Sequence, residues 1–348
     1  ILQLSSIAII SRISRTTTIM NSLSKSTSLL RGLAMTRSFS SLPKSVRIVE
    51  VGLRDGLQNE KSLVTLETKL TLLDKLYGAG LRTIEAGAFV SPKWVPQMKD
   101  TPEIFAHLKQ HAALKYPEAS FSALTPNAKG YESARELGVK EVAIFGAASE
   151  SFSKKNINCS IDESFARFEE VTKVALKDGV KVRGYVSCVI GCPYEGKIDP
   201  KVVLKVTKRL LELGCYEISL GDTIGVGNAG TTKQLLETIL AEIPKEKIAV
   251  HFHDTYGQAL SNILVALQHG INVVDSSVSG LGGCPYAKGA SGNVATDDVV
   301  YMLHGLGIKT NVDADKLLEA SIYIDEQLKR TSESKVVKAL KTKLSDKK

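Results

Sequence analysis

The feature that most constrains the fold is an alternation of short apolar strands with longer amphipathic helices, repeated from residue 45 onward. Eight runs rich in β-branched residues predict buried strands, at 47–51, 81–87, 120–125, 141–146, 180–188, 215–220, 247–253 and 272–278. Helical patterns that end at a glycine separate them, as at 66–80, 164–179 and 200–214. Eight such units predict a closed parallel (β/α)₈ barrel. A doubly wound open sheet is the alternative, but no G-x-G-x-x-G motif follows the first strand.

The net charge of +8 comes from the two ends of the chain. Residues 1–49 contain seven Lys or Arg and no Asp or Glu, and residues 329–348 have a net charge of +6, which leaves −5 for the body. A nucleic-acid-binding core would carry a basic surface, so this charge distribution disfavours that class. No apolar run reaches the roughly 18–20 residues that a membrane-spanning helix needs.

Composition divides the chain into three predicted segments. Residues 1–44 are rich in Ser, Thr and Arg, which predicts a mitochondrial transit peptide cleaved near Phe39 or Ser40; a leader without an address is the alternative. Residues 45–328 are predicted to form one catalytic barrel, and residues 329–348 a lysine-rich tail in the form of a solvated helix. Five scattered cysteines indicate free thiols in a reducing compartment.

Polar residues lie near the carboxyl ends of five of the predicted strands or in the loops that follow them. In a (β/α)₈ barrel, the carboxyl ends of the strands and the loops after them form the active site. We therefore expect one shared site from these residues: Arg54, Asp55, Glu85, Asp222, His251, His253, Cys284 and Asn293.

Four of these residues predict a divalent-metal site. His251 and His253 are two positions apart on a strand, so both side chains point to one face, here the barrel lumen. With the carboxylate of Asp55 and the amide oxygen of Asn293 they favour Mg²⁺ or Mn²⁺, while the imidazoles also suit Zn²⁺ or Fe²⁺. The alternatives are a pair of hydrogen-bonded core histidines and the two-histidine, one-carboxylate iron site of non-haem oxygenases.

A glycine-rich loop with the sequence SGLGGCPYAKGASGN, residues 279–293, surrounds Cys284. Its glycines allow positive φ angles and a close approach to a ligand, which predicts a mobile lid after strand 8 that carries a reactive thiol. A buried cysteine in a turn is the alternative. The string GCPY also occurs around Cys192, but only Cys284 shares its loop with Asn293.

Several motifs together resemble the 3-hydroxy-3-methylglutaryl-CoA (HMG-CoA) lyases of the DRE-TIM metallolyase superfamily. They include VGLRDGLQNEKS, IEAGAFVSPKWVPQM, AIFGAASE, KKNINCS, RGYVSC, YEISLGDTIGVG, HFHDTYGQAL and the Cys284 loop. The likeness extends from about Arg47 to beyond Ala320. The sequence departs from the family pattern at Leu53, where proline is expected, and at Gly87-Ala88, where Thr-Ser is common.

The resemblance implies cleavage of HMG-CoA to acetyl-CoA and acetoacetate, in leucine degradation and ketone-body formation. It implies that Asp55, His251, His253 and Asn293 bind the cation, and that Arg54 stabilises the developing enolate. Cys284 would donate a proton to the enolate carbon, and Asp55 or His251 would accept the hydroxyl proton. The implied supporting residues are Glu85 and Asp222, and the implied substrate contacts are Arg54, Lys155, Asn156, Arg183 and Tyr185.

The resemblance also implies a homodimer in the mitochondrial matrix, with a small acyl-CoA as its ligand. An acyl-CoA condensing synthase of the same superfamily, similar to isopropylmalate or homocitrate synthase, is the alternative enzyme. A barrel that serves only as a binding or scaffold protein is a third hypothesis, which the complete set of polar strand-end residues disfavours.

Overall fold

The computed structural model describes residues 42–283 and 292–345. The predicted leader lies almost wholly outside these residues, and so do Cys284 and most of its predicted lid loop. Within the described part of the chain, no helix is long and apolar enough to cross a membrane.

Eight parallel strands form a closed barrel in which each strand pairs with the next and β8 pairs with β1. The predicted (β/α)₈ barrel is therefore confirmed, and the strands lie close to the predicted runs. They are β1 Arg47–Glu50, β2 Thr83–Ala88, β3 Ser120–Leu124, β4 Glu141–Ala147, β5 Lys181–Ser187, β6 Glu217–Asp222, β7 Ile248–Phe252 and β8 Val273–Ser276. The longest register joins β4 to β5, from Glu141 opposite Lys181 to Ala147 opposite Ser187.

Helices follow the strands around the outside of the barrel. They are α1 Leu66–Gly78, α2 Thr101–Lys115, α3 Ala128–Glu136, α4 Glu150–Ile157, α5 Ile161–Lys177, α6 Pro200–Glu212, α7 Ala229–Leu240, α8 Ala259–Gln268, α9 Thr296–Gly305, α10 Ala314–Leu328 and α11 Lys335–Ser345. A short hairpin, Gly191–Cys192 with Gly196–Lys197, lies between β5 and α6.

Local sequence sets the ends of these helices. Ser160 accepts a hydrogen bond from the backbone of Glu163, whose side chain accepts one in return, and this capping box starts α5. Gly179 and Gly214 follow α5 and α6 with φ angles of 71° and 94°, a conformation that glycine adopts without strain.

The core fills the space between the strands and the helices. All five residues of β7 are buried, as expected for a parallel strand covered on both faces. Phe168 of α5 and Leu210 of α6 are almost wholly inaccessible to solvent. The strands are thus held rigidly enough to fix the side chains at their carboxyl ends.

The C-terminal segment is attached to the barrel more closely than a solvated tail. Asp298 of α9 accepts hydrogen bonds from the Ser334 hydroxyl and from the backbone N–H groups of Lys335 and Val336, and so caps α11. Val337 is fully buried. The start of α11 is therefore part of the folded domain.

Candidate active site

A single tight turn directly after β1 presents Arg54 and Asp55 to the barrel mouth. Residues Gly52–Gly56 form one turn of π-helix. Glu50 secures the turn, because its carboxylate accepts hydrogen bonds from the backbone N–H of Gly52 at 2.8 Å and of Val278 at 2.9 Å. A Cβ atom on Gly52 would lie 2.6 Å from that carboxylate, so glycine is required there.

The two histidines meet in the lumen at the end of β7. The Nε2 atoms of His251 and His253 are 3.3 Å apart, and the side chain of Phe252 between them is buried on the opposite face. Burial, reinforced by the neighbouring His251, lowers the pKa of His253 to about 4. His253 is therefore a neutral imidazole at neutral pH, the form that binds metals.

Asp55 completes a cluster suited to a cation. Its Oδ2 atom is 3.7 Å from Nε2 of His251, and one ligand atom from each of Asp55, His251 and His253 lies within 4.8 Å of the others. Burial raises the pKa of Asp55, but the positive charge of Arg54 outweighs it and, with the hydrogen bond from Asn293, holds this pKa below its usual range. Two imidazole nitrogens facing each other beside an ionised carboxylate fit a divalent metal.

Arg54 is held between two carboxylates. Its Nε donates to Glu85 Oε2 at 2.6 Å, and a terminal nitrogen donates to Asp55 Oδ1 at 2.5 Å. Burial favours the neutral guanidine, but Glu85 and Asp55 outweigh it and raise the pKa of Arg54, which stays charged. The guanidinium thus lies next to the cation cluster with a fixed orientation.

Asn293 lies against the same cluster. Its Nδ2 donates to Asp55 Oδ2 at 2.8 Å and to the carbonyl of Leu281 at 3.3 Å. Gly282 has a φ of 117°, and a Cβ atom there would lie 2.7 Å from Asn293 Nδ2. The chain on both sides of residues 284–291 therefore converges on the cation cluster.

A cavity of about 980 Å³ opens from the barrel mouth above these residues. Arg54, Asp55, Tyr185, His251 and His253 line its inner end. Lys155 and Asn156, from the last turn of α4, line the same cavity as the residues at the strand ends.

Like Asn293, three further predicted site residues are buried without lining the cavity. Glu85 is bonded to Arg54, as expected for a supporting residue. Asp222 accepts hydrogen bonds from the backbone of Val226 and Gly227 and so organises the loop after β6. Arg183 lies deeper in the lumen, where Glu217, Asp275 and Tyr185 accept its hydrogen bonds, and it does not line the cavity.

The string GCPY surrounds two cysteines, Cys192 and Cys284. Cys192 does not line the cavity, and its sulfur lies 3.0 Å from the hydroxyl of Ser149. Cys284 lies outside the described residues, but Gly283 before it lines the cavity and accepts a hydrogen bond from Asn59 at 2.8 Å.

At the departures from the family pattern, Leu53 is buried inside the turn and Ala88 lines the cavity. A Cβ atom on Gly87 would lie 2.6 Å from the hydroxyl of Thr101, so this hydroxyl occupies the space beside the glycine.

The sequence interpretation missed two groups of residues. Asp275 of β8, together with Glu217 and Ser219 of β6, forms a polar layer beneath the histidines. A carboxylate within an otherwise apolar parallel strand was the available signal for Asp275. Lys99, Lys129 and Arg167 line the outer part of the cavity, but single basic residues on separate helices and loops carry no sequence pattern.

Comparison with known proteins gives a consistent result. Residues 45–324 match the family model described as HMGL-like. The chain is 60% identical over 304 residues to the mitochondrial hydroxymethylglutaryl-CoA lyase of Bos taurus. The aligned region covers 87% of this chain and 92% of the bovine protein.

Two solved structures are also similar. The hydroxymethylglutaryl-CoA lyase of Pseudomonas aeruginosa superposes with a TM-score of 0.84 at 55% identity, over 87% of this chain and 99% of that one. An HMG-CoA lyase from Acinetobacter baumannii in complex with coenzyme A and 3-methylmalate gives a TM-score of 0.80 at 35% identity, over 87% and 96% of the two chains.

Proposed function

The chain belongs to the HMGL-like family, and we propose that it is a hydroxymethylglutaryl-CoA lyase that cleaves (S)-HMG-CoA to acetyl-CoA and acetoacetate. The observation that carries the proposal is the cluster of Asp55, His251 and His253 beside a charged Arg54, at the inner end of a cavity of about 980 Å³. These groups meet the requirements of a retro-Claisen cleavage.

The reaction moves one proton and one electron pair. A base removes the proton of the C3 hydroxyl, the C2–C3 bond breaks as the C3 ketone forms, and the electron pair passes to C2 as a thioester enolate. Protonation of C2 then yields acetyl-CoA, and the remaining ketone is acetoacetate. The site must therefore acidify a hydroxyl, stabilise an enolate and supply a proton.

The residues fit a divalent cation, Mg²⁺ or Mn²⁺, held by Asp55, His251, His253 and Asn293. Such a cation is a Lewis acid that lowers the pKa of a hydroxyl bound to it. The low pKa of Asp55 and the neutral state of His253 keep both side chains in their ligating forms at neutral pH.

Arg54 stabilises the enolate oxygen. Its guanidinium is fixed by Glu85 and Asp55 before substrate binds, so little reorganisation is needed when negative charge develops. Because arginine stays protonated, Arg54 cannot carry the proton. Asp55 or His251 accepts the hydroxyl proton, and Cys284 donates the proton to C2.

The outer part of the cavity binds the coenzyme A portion. Lys155 and Asn156 contact it, together with Lys99, Lys129 and Arg167, since positive side chains suit its phosphates. Tyr185 contacts the acyl group at the inner end. Arg183, which does not reach the cavity, acts by positioning other side chains.

Two assays of the purified chain with Mg²⁺ test this proposal. The first supplies HMG-CoA, and the second supplies acetyl-CoA and a 2-oxo acid. We expect acetoacetate and acetyl-CoA to form from HMG-CoA in equal amounts. A condensing synthase would instead consume acetyl-CoA and a 2-oxo acid and release free coenzyme A. Release of coenzyme A in that second assay, without cleavage of HMG-CoA, would replace the lyase with the synthase.

We further propose a cellular context for the chain. The chain acts in the mitochondrial matrix, with residues 1–44 as a cleaved transit peptide, residues 45–328 as the catalytic barrel and residues 329–348 as a C-terminal extension. It takes part in leucine degradation and ketone-body formation, and it forms a homodimer.

A further inference from the structure

We propose that Asp275 is a positioning residue that fixes the tautomer of His251, so that the unprotonated Nε2 atom of this histidine faces the cation site. This inference rests on the proposed function only in so far as a cation binds at Asp55, His251 and His253. It assigns a role to a buried carboxylate that contacts neither substrate nor cation.

Asp275 has a saturated set of hydrogen-bond donors around it. Its Oδ1 accepts from Arg183 at 2.7 Å. Its Oδ2 accepts from a second Arg183 nitrogen at 3.0 Å and from the hydroxyl of Ser219 at 2.8 Å. The side chain is fully buried. A buried carboxylate with a bidentate arginine partner is ionised and can only accept hydrogen bonds.

This acceptor determines where the proton of His251 lies. Oδ2 of Asp275 is 3.3 Å from Nδ1 of His251, on the side of the ring away from the cation cluster. Because the carboxylate cannot donate, Nδ1 must carry the hydrogen, and in the neutral ring Nε2 is then left with a lone pair. Nε2 is the atom that faces His253 and Asp55. The carboxylate thereby orients the histidine for metal binding.

Arg183 connects this contact to the opposite side of the lumen. It also donates to the hydroxyl of Tyr185 at 2.9 Å, and that hydroxyl donates to Glu85 Oε2 at 3.2 Å. Glu85 in turn holds Arg54. One continuous series of hydrogen bonds thus connects the metal ligand His251 with the enolate-stabilising Arg54. Asp275 is the residue of this series that contacts the histidine.

Asp275→Asn is the decisive variant, and Glu217→Gln is its matched control. Both change a buried carboxylate that binds Arg183, but Glu217 bonds Arg183 Nε at 2.9 Å and does not contact His251. The amide of the Asp275→Asn side chain has an NH₂ group, which can donate a hydrogen bond to Nδ1 of His251. His251 can then carry its proton on Nε2 instead of Nδ1. A general loss of the ion pairs would affect both variants alike.

The two readouts need no substrate. Mn²⁺ affinity is measured by electron paramagnetic resonance, and the tautomer of His251 in the metal-free protein by ¹⁵N NMR of labelled histidine. We expect Asp275→Asn to weaken Mn²⁺ binding about 10–100-fold, the range typical for such supporting partners. Glu217→Gln should retain wild-type affinity within about threefold, and wild-type His251 should carry its proton on Nδ1.

Equal Mn²⁺ affinity in the two variants would overturn the proposal, and so would a wild-type His251 protonated on Nε2. The wild-type spectrum decides the question even if Asp275→Asn does not fold. Failure of the wild-type chain to cleave HMG-CoA would overturn the proposed function instead, and would leave these substrate-free measurements unaffected.

Discussion

Among single residues, Arg54 shows how hydrogen bonds within the protein fix the charged groups of the site. Arg54 lies between Glu85 and Asp55 at hydrogen-bond distances of 2.6 and 2.5 Å, and it is almost fully buried. A lysine could keep the positive charge but could not form both contacts in the same plane. We therefore expect stabilisation of the enolate to need the geometry of the guanidinium as well as its charge.

Arg54→Lys should lower kcat about 100- to 1000-fold, the usual effect of losing one fixed donor to a developing oxyanion. Because Arg54 is not a cation ligand, Mn²⁺ affinity should change by no more than about threefold. Steady-state kinetics and Mn²⁺ titration measure the two effects, with the surface change Arg135→Lys as control. A variant that retains wild-type kcat would remove Arg54 from the proposed mechanism.

At the scale of elements, tight turns bring β1 and β8 to the same cation cluster. Gly282 lies over Asn293 with a positive φ, whereas a Cβ atom on the next glycine, Gly283, would have no described residue within 4 Å. The two adjacent glycines therefore differ in what a side chain would meet.

Gly282→Ala should destabilise the fold by roughly 2 kcal/mol or more, since alanine is strained at this φ and its Cβ would displace Asn293. Mn²⁺ affinity should fall in parallel. Gly283→Ala is the matched control and should change the free energy of unfolding by less than about 1 kcal/mol. Urea unfolding measures both; equal effects would show that the contact with Asn293 is not the cause.

Glu50 links three elements, because it accepts hydrogen bonds from Gly52, Val278 and the Thr296 hydroxyl. Burial raises the pKa of Glu50 to about 7, from 4.5 in an exposed glutamate. Between these pH values the folded state binds a proton that the unfolded state has lost, so this carboxyl lowers the stability of the protein as pH rises.

Glu50→Gln should remove that pH dependence. Relative to this variant, the wild-type free energy of unfolding should fall by roughly 1–3 kcal/mol between pH 4.5 and 7. Urea unfolding at several pH values measures the difference, with the exposed Glu132→Gln as control. A difference between wild type and Glu50→Gln that does not vary with pH would refute this role of burial.

Sequence patterns predicted the elements better than the polar contacts among them. The eight strands, the glycine stops and the pair His251 and His253 follow from local periodicity, which depends on neighbours along the chain. The roles of Asp275 and Arg183 depend on β5 and β8 meeting across the lumen. Residue spacing does not encode that distance, and the family resemblance implied only that Arg183 contacts substrate.

At the scale of the whole molecule, charge and family membership divide the chain. The barrel body carries a net charge of −5, and residues 1–49 carry only positive charges. The family match spans residues 45–324 and so begins where the predicted leader ends. Catalysis and cellular targeting should therefore be separable.

Residues 1–44 fused to a fluorescent protein should direct it to mitochondria in eukaryotic cells, since their arginines and lack of acids suit import. Replacing Arg12 and Arg15 with glutamine should reduce that localisation. Fluorescence microscopy with a matrix marker measures both. Cytosolic fluorescence from the unaltered fusion would contradict the transit-peptide assignment.

Cleavage of HMG-CoA should depend on a single cation site formed by Asp55, His251 and His253. The most direct test titrates metal-stripped protein with Mn²⁺ and follows bound metal and acetoacetate release together. We predict that one Mn²⁺ binds per chain and that the rate of acetoacetate release rises with the occupancy of that site. His253→Ala should lose both the bound Mn²⁺ and the release of acetoacetate. Acetoacetate release from metal-free protein would show that cleavage needs no cation, and unchanged Mn²⁺ binding in His253→Ala would show that His253 is not a ligand.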